Sequence, residues 1–163
     1  VVPCGPRPDK PLATPAEVRY LTAVMGVEEL FATRTDVFVS DVEVVLPKAL
    51  STHELLSRLG AAYADRCFSL VIGSDLLPSL PSWQNAERLL DECAFLIVER
   101  PGYAADASTL PPHASRVSMS STIDVSSTDV RKLAKEGVHV DGLVGTMIRT
   151  HLDKYGTYLR SRL

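Results

Sequence analysis

Cys67-Phe68-Ser69-Leu70-Val71-Ile72-Gly73 is an apolar run interrupted by one serine and closed by a glycine, and Ala94-Phe95-Leu96-Ile97-Val98 repeats the pattern a helix-length farther on. Short unbroken apolar stretches of this kind belong to strands covered on both faces in a parallel sheet, because a half-solvated strand would alternate. Between the two runs, Ser82 starts a short helix reaching about Leu90, and beyond them Arg116 to Met119 can form one more short strand. On the other side, Ser51-Thr52-His53-Glu54 has the capping-box pattern ahead of Leu55, Leu56, Leu59 and Ala62, which predicts a helix leading into the first run.

The flanks extend the alternation. Val1-Val2-Pro3 reads as the end of a strand entering a turn-rich segment, Cys4 to Pro11. Thr14-Pro15-Ala16-Glu17 offers a cap, a proline at the first helical position and a capping-box glutamate, with Val18, Leu21, Val24 and Met25 then on one face. Val37, Val39, Val42 and Val44 alternate, predicting a strand over 36–45 whose Asp41 and Glu43 share a solvent face. Ser126 to Asp129 opens a helix that stops near Gly137, and Val144, Met147, Ile148, Leu152 and Tyr155 mark a last amphipathic helix closed by Gly156. The expected class is α/β, a Rossmann-like doubly wound parallel sheet in a single domain over residues 1–163. Ligands bind beyond the carboxyl ends of the strands in such sheets. Gly73-Ser74-Asp75, Arg100-Pro101-Gly102 and Ser126-Ser127-Thr128 all fall at or just after those ends.

With 163 residues, 45% of them hydrophobic, the chain can build a genuine core. A net charge of −3 without a Lys/Arg run argues against a nucleic-acid partner. No apolar stretch reaches the roughly 18 residues of a membrane span, and no leader pattern opens the chain, so a cytoplasmic protein is expected, or a nuclear one in a eukaryote. Cys4, Cys67 and Cys93 are too widely spaced for a metal or disulfide pattern and read as small buried or half-buried hydrophobes.

Neither GxGxxG nor GxxxxGKS/T occurs, so phosphate must be held in another way. Val125 to Arg131 is the best candidate: the unpaired N–H groups of a helix start, the hydroxyls of Ser126, Ser127 and Thr128, and Arg131 one turn on could grip a polyphosphate. Taken alone the segment reads first as an ordinary capped helix with an exposed arginine. Trp83 could stack on a flat heterocycle or be a core or lid residue. Asp75, after Gly73, could accept from ribose hydroxyls. Arg100 could meet an anion or close its strand, and Arg7 and Lys10 on a proline-stiffened loop could face phosphate or only water. His53, His113, His139 and His151 lack partners at ligand spacing and read as surface or packing residues, and no metal site is expected.

The order of these segments resembles the nicotinate/nicotinamide mononucleotide adenylyltransferase family. Val39-Ser40-Asp41-Val42-Glu43 and Leu50-Ser51-Thr52-His53-Glu54-Leu55-Leu56 are similar to its "VSDxE" strand and "SYTxxTL" helix start. Here Ser51 replaces the aromatic residue and Leu55 the second threonine, leaving Thr52 as the implied contact to the pyridine substituent. Gly73 to Trp83 resembles "GxDxLxxLxxW", Phe95 to Tyr103 resembles "LIVxxRPGY", VSSTDVR resembles the "ISSTxIR" ATP-phosphate signature, and Met147 to Tyr158 resembles the terminal helix.

The resemblance implies transfer of AMP from ATP to nicotinate or nicotinamide mononucleotide with release of pyrophosphate. Ser126, Ser127, Thr128, Arg131 and Lys10 would hold ATP phosphates, with Arg131 and Thr128 catalytic. Thr52, Gly73, Asp75, Trp83 and Arg100 would hold the pyridine nucleotide, and Mg²⁺ would arrive on the phosphates. A homo-oligomer is compatible with it. The family's HxGH motif is absent from the sequence, and its first strand, central to the sheet, would precede Val1. The expectation is therefore an upstream segment in the natural protein, or a sheet completed by other means such as a partner chain. Another nucleotidyltransferase of the superfamily, or a binding protein that kept the rim without the chemistry, are the competing readings.

Overall fold

Both apolar runs are strands. In a computed structural model, which describes residues 1–6, 14–105, 107–118, 125–138, 140 and 142–155, β1 (Ser69–Gly73), β2 (Ala94–Val98) and β3 (Ala114–Val117) form a parallel sheet in that order. Ser69 lies opposite Ala94 and Phe95 opposite Ala114, so the carboxyl ends of β1 and β2, Gly73 and Val98, are paired neighbours. The α/β class holds. Met119, the far end of the strand predicted over 116–119, lies outside the described residues, and that strand begins at Ala114 instead.

Contacts divide the chain into two units, Leu50–Asp124 and Val1–Ala49 with Val125–Leu163. In the first of these, Ile72, Leu77, Leu80, Leu89, Cys93, Phe95 and Ile97 make the core, with Phe95 and Ile97 almost entirely covered. Burying side chains of that size stabilises by about 1.5–3 kcal/mol each. The reading of β1 as covered on both faces is corrected. Ile72 is buried but Val71, on the opposite face of the strand, is 61% exposed, so among the described residues only the core face of β1 is packed.

α2 (Thr52–Ala62) starts as its sequence dictates: the Ser51 hydroxyl accepts from the Glu54 amide, and the Glu54 carboxylate accepts from the Ser51 amide at 2.8 Å. The helix predicted from Ser82 begins later. Residues Ser74–Ser82, with Pro78 and Pro81 among them, form a 3₁₀ run, and the Ser82 hydroxyl donates back to the Ser79 carbonyl instead of capping forward. Asn85, at a φ of 58°, then turns the chain into α3 (Ala86–Glu92). Asparagine is one of the few residues that tolerates this left-handed geometry.

The second unit holds α1 (Ala16–Phe31), α4 (Ser127–Lys135) and α5 (Thr146–Tyr155). α1 is capped by position, not by a side chain: Pro15 is its N-cap, and Thr14, expected as the cap, is buried with its carbonyl taken by Arg19. Of the four residues expected on its buried face, Leu21 is 56% exposed, and Ala16 and Val27 are the buried ones. α1 packs against α5, and the Glu29 carboxylate accepts from the amides of Thr146 and Met147 at 2.6 and 3.0 Å, capping α5 from another helix. α4 is followed, after its C-cap Glu136, by Gly137, whose φ of 70° is the left-handed stop that glycine supplies. Gly156 lies outside the described residues.

The strand predicted over 36–45 is not formed. Residues 42–48 are turns and bends, while Phe38 and Ser40 exchange backbone hydrogen bonds with Val1. Val37 and Val39 would share one face of a strand and Val42 and Val44 the other, so the four define no single face; Glu43 points inward, 4% exposed and accepting the Gly5 amide at 3.1 Å, whereas Asp41 is exposed as expected. Cys93 is buried, Cys4 half-buried and Cys67 exposed, so the small-hydrophobe reading fails for Cys67. Among the described residues no helix is long and apolar enough to cross a membrane.

Candidate nucleotide site

Two of the segments expected on the rim meet where β1 and β2 end. Gly73 is the last residue of β1, and Arg100-Pro101-Gly102-Tyr103 follows β2 as a tight turn. Gly102 has a φ of 79°, and the Tyr103 amide donates to the Arg100 carbonyl at 3.0 Å. Proline second and a positive-φ glycine third are what a type II turn requires.

This turn is tied to β1 by Ser74, only 3% exposed, whose hydroxyl donates to the Tyr103 carbonyl at 2.6 Å and accepts the Arg100 amide at 2.9 Å. The Arg100 side chain therefore stands over Gly73, with its Nε 3.8 Å from Asp75 Oδ1. A Cβ at position 73 would collide with Asp75 Oδ1 and lie 2.9 Å from Arg100 Cδ. The glycine is needed for that close approach rather than for its own backbone angle. The rim thus presents a carboxylate and a guanidinium side by side, both partly exposed, an arrangement suited to ribose hydroxyls and a phosphate oxygen.

Trp83 closes the 3₁₀ run, half-buried against the core cluster, with its indole N–H 3.4 Å from the Ser79 hydroxyl. It does not start a helix as its sequence position suggested. Thr52 is the first residue of α2 and half-buried. The neighbouring His53 is buried, with its Nε2 3.2 Å from the Glu92 carboxylate. A cavity of about 380 Å³ lined by His53, Leu56, Cys67, Glu92 and Cys93 adjoins the residues preceding β1 and β2, at the opposite end of these strands from the rim. It therefore does not contain the rim residues.

Ser126, Ser127, Thr128 and Arg131 belong to the other unit, at the start of α4. Ser126 is the N-cap: its hydroxyl accepts the Asp129 amide at 3.2 Å and donates to the Asp129 carboxylate, which also accepts the Ser126 amide at 2.9 Å. These bonds, the side-chain one first, hold the Asp129 carboxyl below its ordinary range. Ser126 is thereby committed within the cap, so an anion here would use the amides and hydroxyls that follow it. Arg131 reaches back to the Thr128 hydroxyl at 3.1 Å, which places its charge at the same helix end. Lys10 and Arg7 lie outside the described residues. Among the described residues no group of three His, Cys, Asp or Glu side chains is placed to hold a metal ion.

Residues 4–133 match the cytidylyltransferase-like family model. A probable nicotinate-nucleotide adenylyltransferase of Acidothermus cellulolyticus is 31% identical over 153 residues, covering 90% of this chain and 72% of that protein. This chain belongs to the nicotinate-nucleotide adenylyltransferase branch of the cytidylyltransferase-like family. A relative of the same printed name from Bacteroides fragilis is 34% identical over 84% of this chain, and one from Bacteroides thetaiotaomicron 32% identical over 75%. The chain spans 66% and 58% of the lengths of these two. Among solved structures, a Plasmodium falciparum nicotinic acid mononucleotide adenylyltransferase complexed with NaAD matches with a TM-score of 0.82 at 24% identity, over 97% of this chain and 80% of that one. That likeness carries the fold.

Membership also explains which rim residues the sequence reveals and which it conceals. Gly73, Asp75 and Arg100 sit in family motifs and the structure brings them together. Ser74 fills an open position of the "GxDxL" pattern, and nothing in its local sequence shows that its hydroxyl is turned inward. The only available signal was a small hydroxyl residue directly after an apolar run.

Proposed function

We propose that this chain carries much of the nucleotide-binding apparatus of an enzyme that transfers AMP from ATP to nicotinate mononucleotide and releases pyrophosphate. The observation that carries the reading is the rim at the paired ends of β1 and β2, where Gly73 lets Arg100 approach Asp75. The names of the relatives, and the solved Plasmodium falciparum enzymes complexed with NaAD and with APC, supply the substrate class.

In this reading the mononucleotide's 5′-phosphate attacks the α-phosphorus of ATP in line, and no covalent enzyme intermediate forms. The protein acts by positioning and by stabilising charge. Asp75 takes a ribose, Arg100 a phosphate oxygen, Trp83 the pyridine face and Thr52 its carboxyl group. The first-turn amides of α4, the Ser127 and Thr128 hydroxyls and Arg131 take the departing pyrophosphate, with Lys10 a further contributor. Asp75 and Asp129 already face partners in the protein and, among the described residues, are not clustered with other carboxylates, so Mg²⁺ would be carried by the ATP phosphates and would supply charge neutralisation there. Pyrophosphate release by the natural full-length protein, with ATP, Mg²⁺ and each pyridine mononucleotide in turn, tests this. Turnover with nicotinate mononucleotide is expected. No turnover with either mononucleotide overturns the reading.

A further inference from the structure

We propose that Ser74 is a positioning residue of the nucleotide site, acting through Arg100; the inference rests on the adenylyl-transfer reading. The Arg100–Tyr103 turn is closed internally by one backbone bond, which fixes its shape but not its place on the rim. Its two remaining end groups, the Arg100 amide and the Tyr103 carbonyl, both go to a single atom, Ser74 Oγ.

A serine hydroxyl has one proton to give and lone pairs to accept with, so one donated and one accepted bond use its donor fully. Ser74 is itself held: it follows β1 directly and is 3% exposed. The hydroxyl thereby transfers the position of β1 to the turn, and the turn sets where the Arg100 guanidinium stands beside Asp75. An alanine at 74 would take away the partner of both the Arg100 amide and the Tyr103 carbonyl, part-buried bonds that fix the turn's place, and the turn would move to find other partners. Ser74 need not touch substrate. Its effect is expected wherever Arg100 acts.

The test is a double-mutant cycle in the full-length protein. Ser74→Ala is expected to raise KM for nicotinate mononucleotide about tenfold with kcat changed less than about threefold, the signature of lost uniform binding. In an Arg100→Met background the same substitution should add less than about twofold, because the residue through which it acts is gone. Ser74→Thr, which keeps the hydroxyl, should restore most of the loss. Additive effects of the two substitutions, an unchanged KM in Ser74→Ala, or no rescue by threonine in a soluble protein each overturn the proposal. Should Ser74→Ala prove insoluble, Ser74→Cys, a weaker donor of similar size, takes its place in the cycle with the same criteria. Hydrogen exchange at the Arg100 amide gives a readout independent of turnover. It should accelerate in Ser74→Ala, and unchanged exchange overturns the clamp even if the protein proves not to be an adenylyltransferase. Absence of turnover in the wild-type protein overturns the functional reading and, with it, Ser74's role in that site.

Discussion

His53 Nε2 lies 3.2 Å from Glu92 Oε2, joining the first turn of α2 to the last residue of α3. The other Glu92 oxygen accepts Arg88 Nε at 2.9 Å, one turn back along the same helix. The His53 hydrogen bond first, and the Arg88 bond second, hold the Glu92 carboxyl below its ordinary value of 4.5. A carboxyl depressed on folding contributes stability above its unfolded value and loses it as pH falls through the lower folded value. Glu92→Ala should therefore melt below wild type at neutral pH, and the two melting curves should converge in acid as pH falls through the lowered folded-state value. Thermal unfolding followed by circular dichroism across pH 3–7 checks this, and a constant difference down to the lowest pH would refute it.

Gly73→Ala tests the close approach at the rim. The added methyl group would collide with Asp75 Oδ1 and crowd Arg100 Cδ, both side-chain atoms that can move aside. The protein should fold, but with its carboxylate and guanidinium displaced. Misplacement of about 1 Å can cost around a hundredfold in rate, so kcat/KM should fall between about tenfold and a hundredfold with little change in melting temperature. Wild-type kinetics in Gly73→Ala would show that the rim does not handle substrate.

Two glycines away from the rim should respond in opposite senses. At Gly5 a Cβ would lie 2.6 Å from the Glu43 carbonyl oxygen, a backbone atom that cannot swing away. Gly5→Ala should destabilise by about 1–3 kcal/mol. Gly60 lies inside α2 with nothing within 4 Å of the position an added methyl group would take. Gly60→Ala should stabilise by about 0.5–1 kcal/mol, since alanine costs less entropy in a helix. Urea denaturation of the two variants reads both signs, and equal effects at the two positions would contradict the packing described.

How much of this was legible in the sequence depended on the range of the interaction that decided each element. The capping boxes at Ser51 and Ser126 are contacts between residues three apart, and both helices begin where the local pattern puts them. β2 is central among the described strands, and its boundaries match its apolar run. The errors lie where distant residues decide. Valine alternation over 36–45 could not reveal that Glu43 turns in to meet Gly5. Arg19, which takes the Thr14 carbonyl, is also held by the carbonyls of Cys4 and Gly5, 15 and 14 residues away, and the helix-start pattern shows neither. Gly73, Asp75 and Arg100 were recognisable as candidates from motif order. Ser74, which joins them, required the register of β1 beside β2.

At the start of α4, Asp129 and an incoming polyphosphate would compete for one helix end. The Asp129 carboxylate accepts both the amide and the hydroxyl of Ser126, and Arg131 stands one turn on against Thr128. Helix N-termini favour negative charge, but two anions sharing one repel each other. Asp129→Asn keeps the shape and one acceptor oxygen while removing the charge. It should lower the inhibition constant of pyrophosphate by about threefold, while Arg131→Met, which removes the cation, should raise it by about tenfold or more, on the order expected for loss of a charged contact. Product-inhibition kinetics at constant ionic strength measure both. If neither substitution shifts pyrophosphate inhibition, the α4 terminus is a capped helix end and the leaving group is held elsewhere.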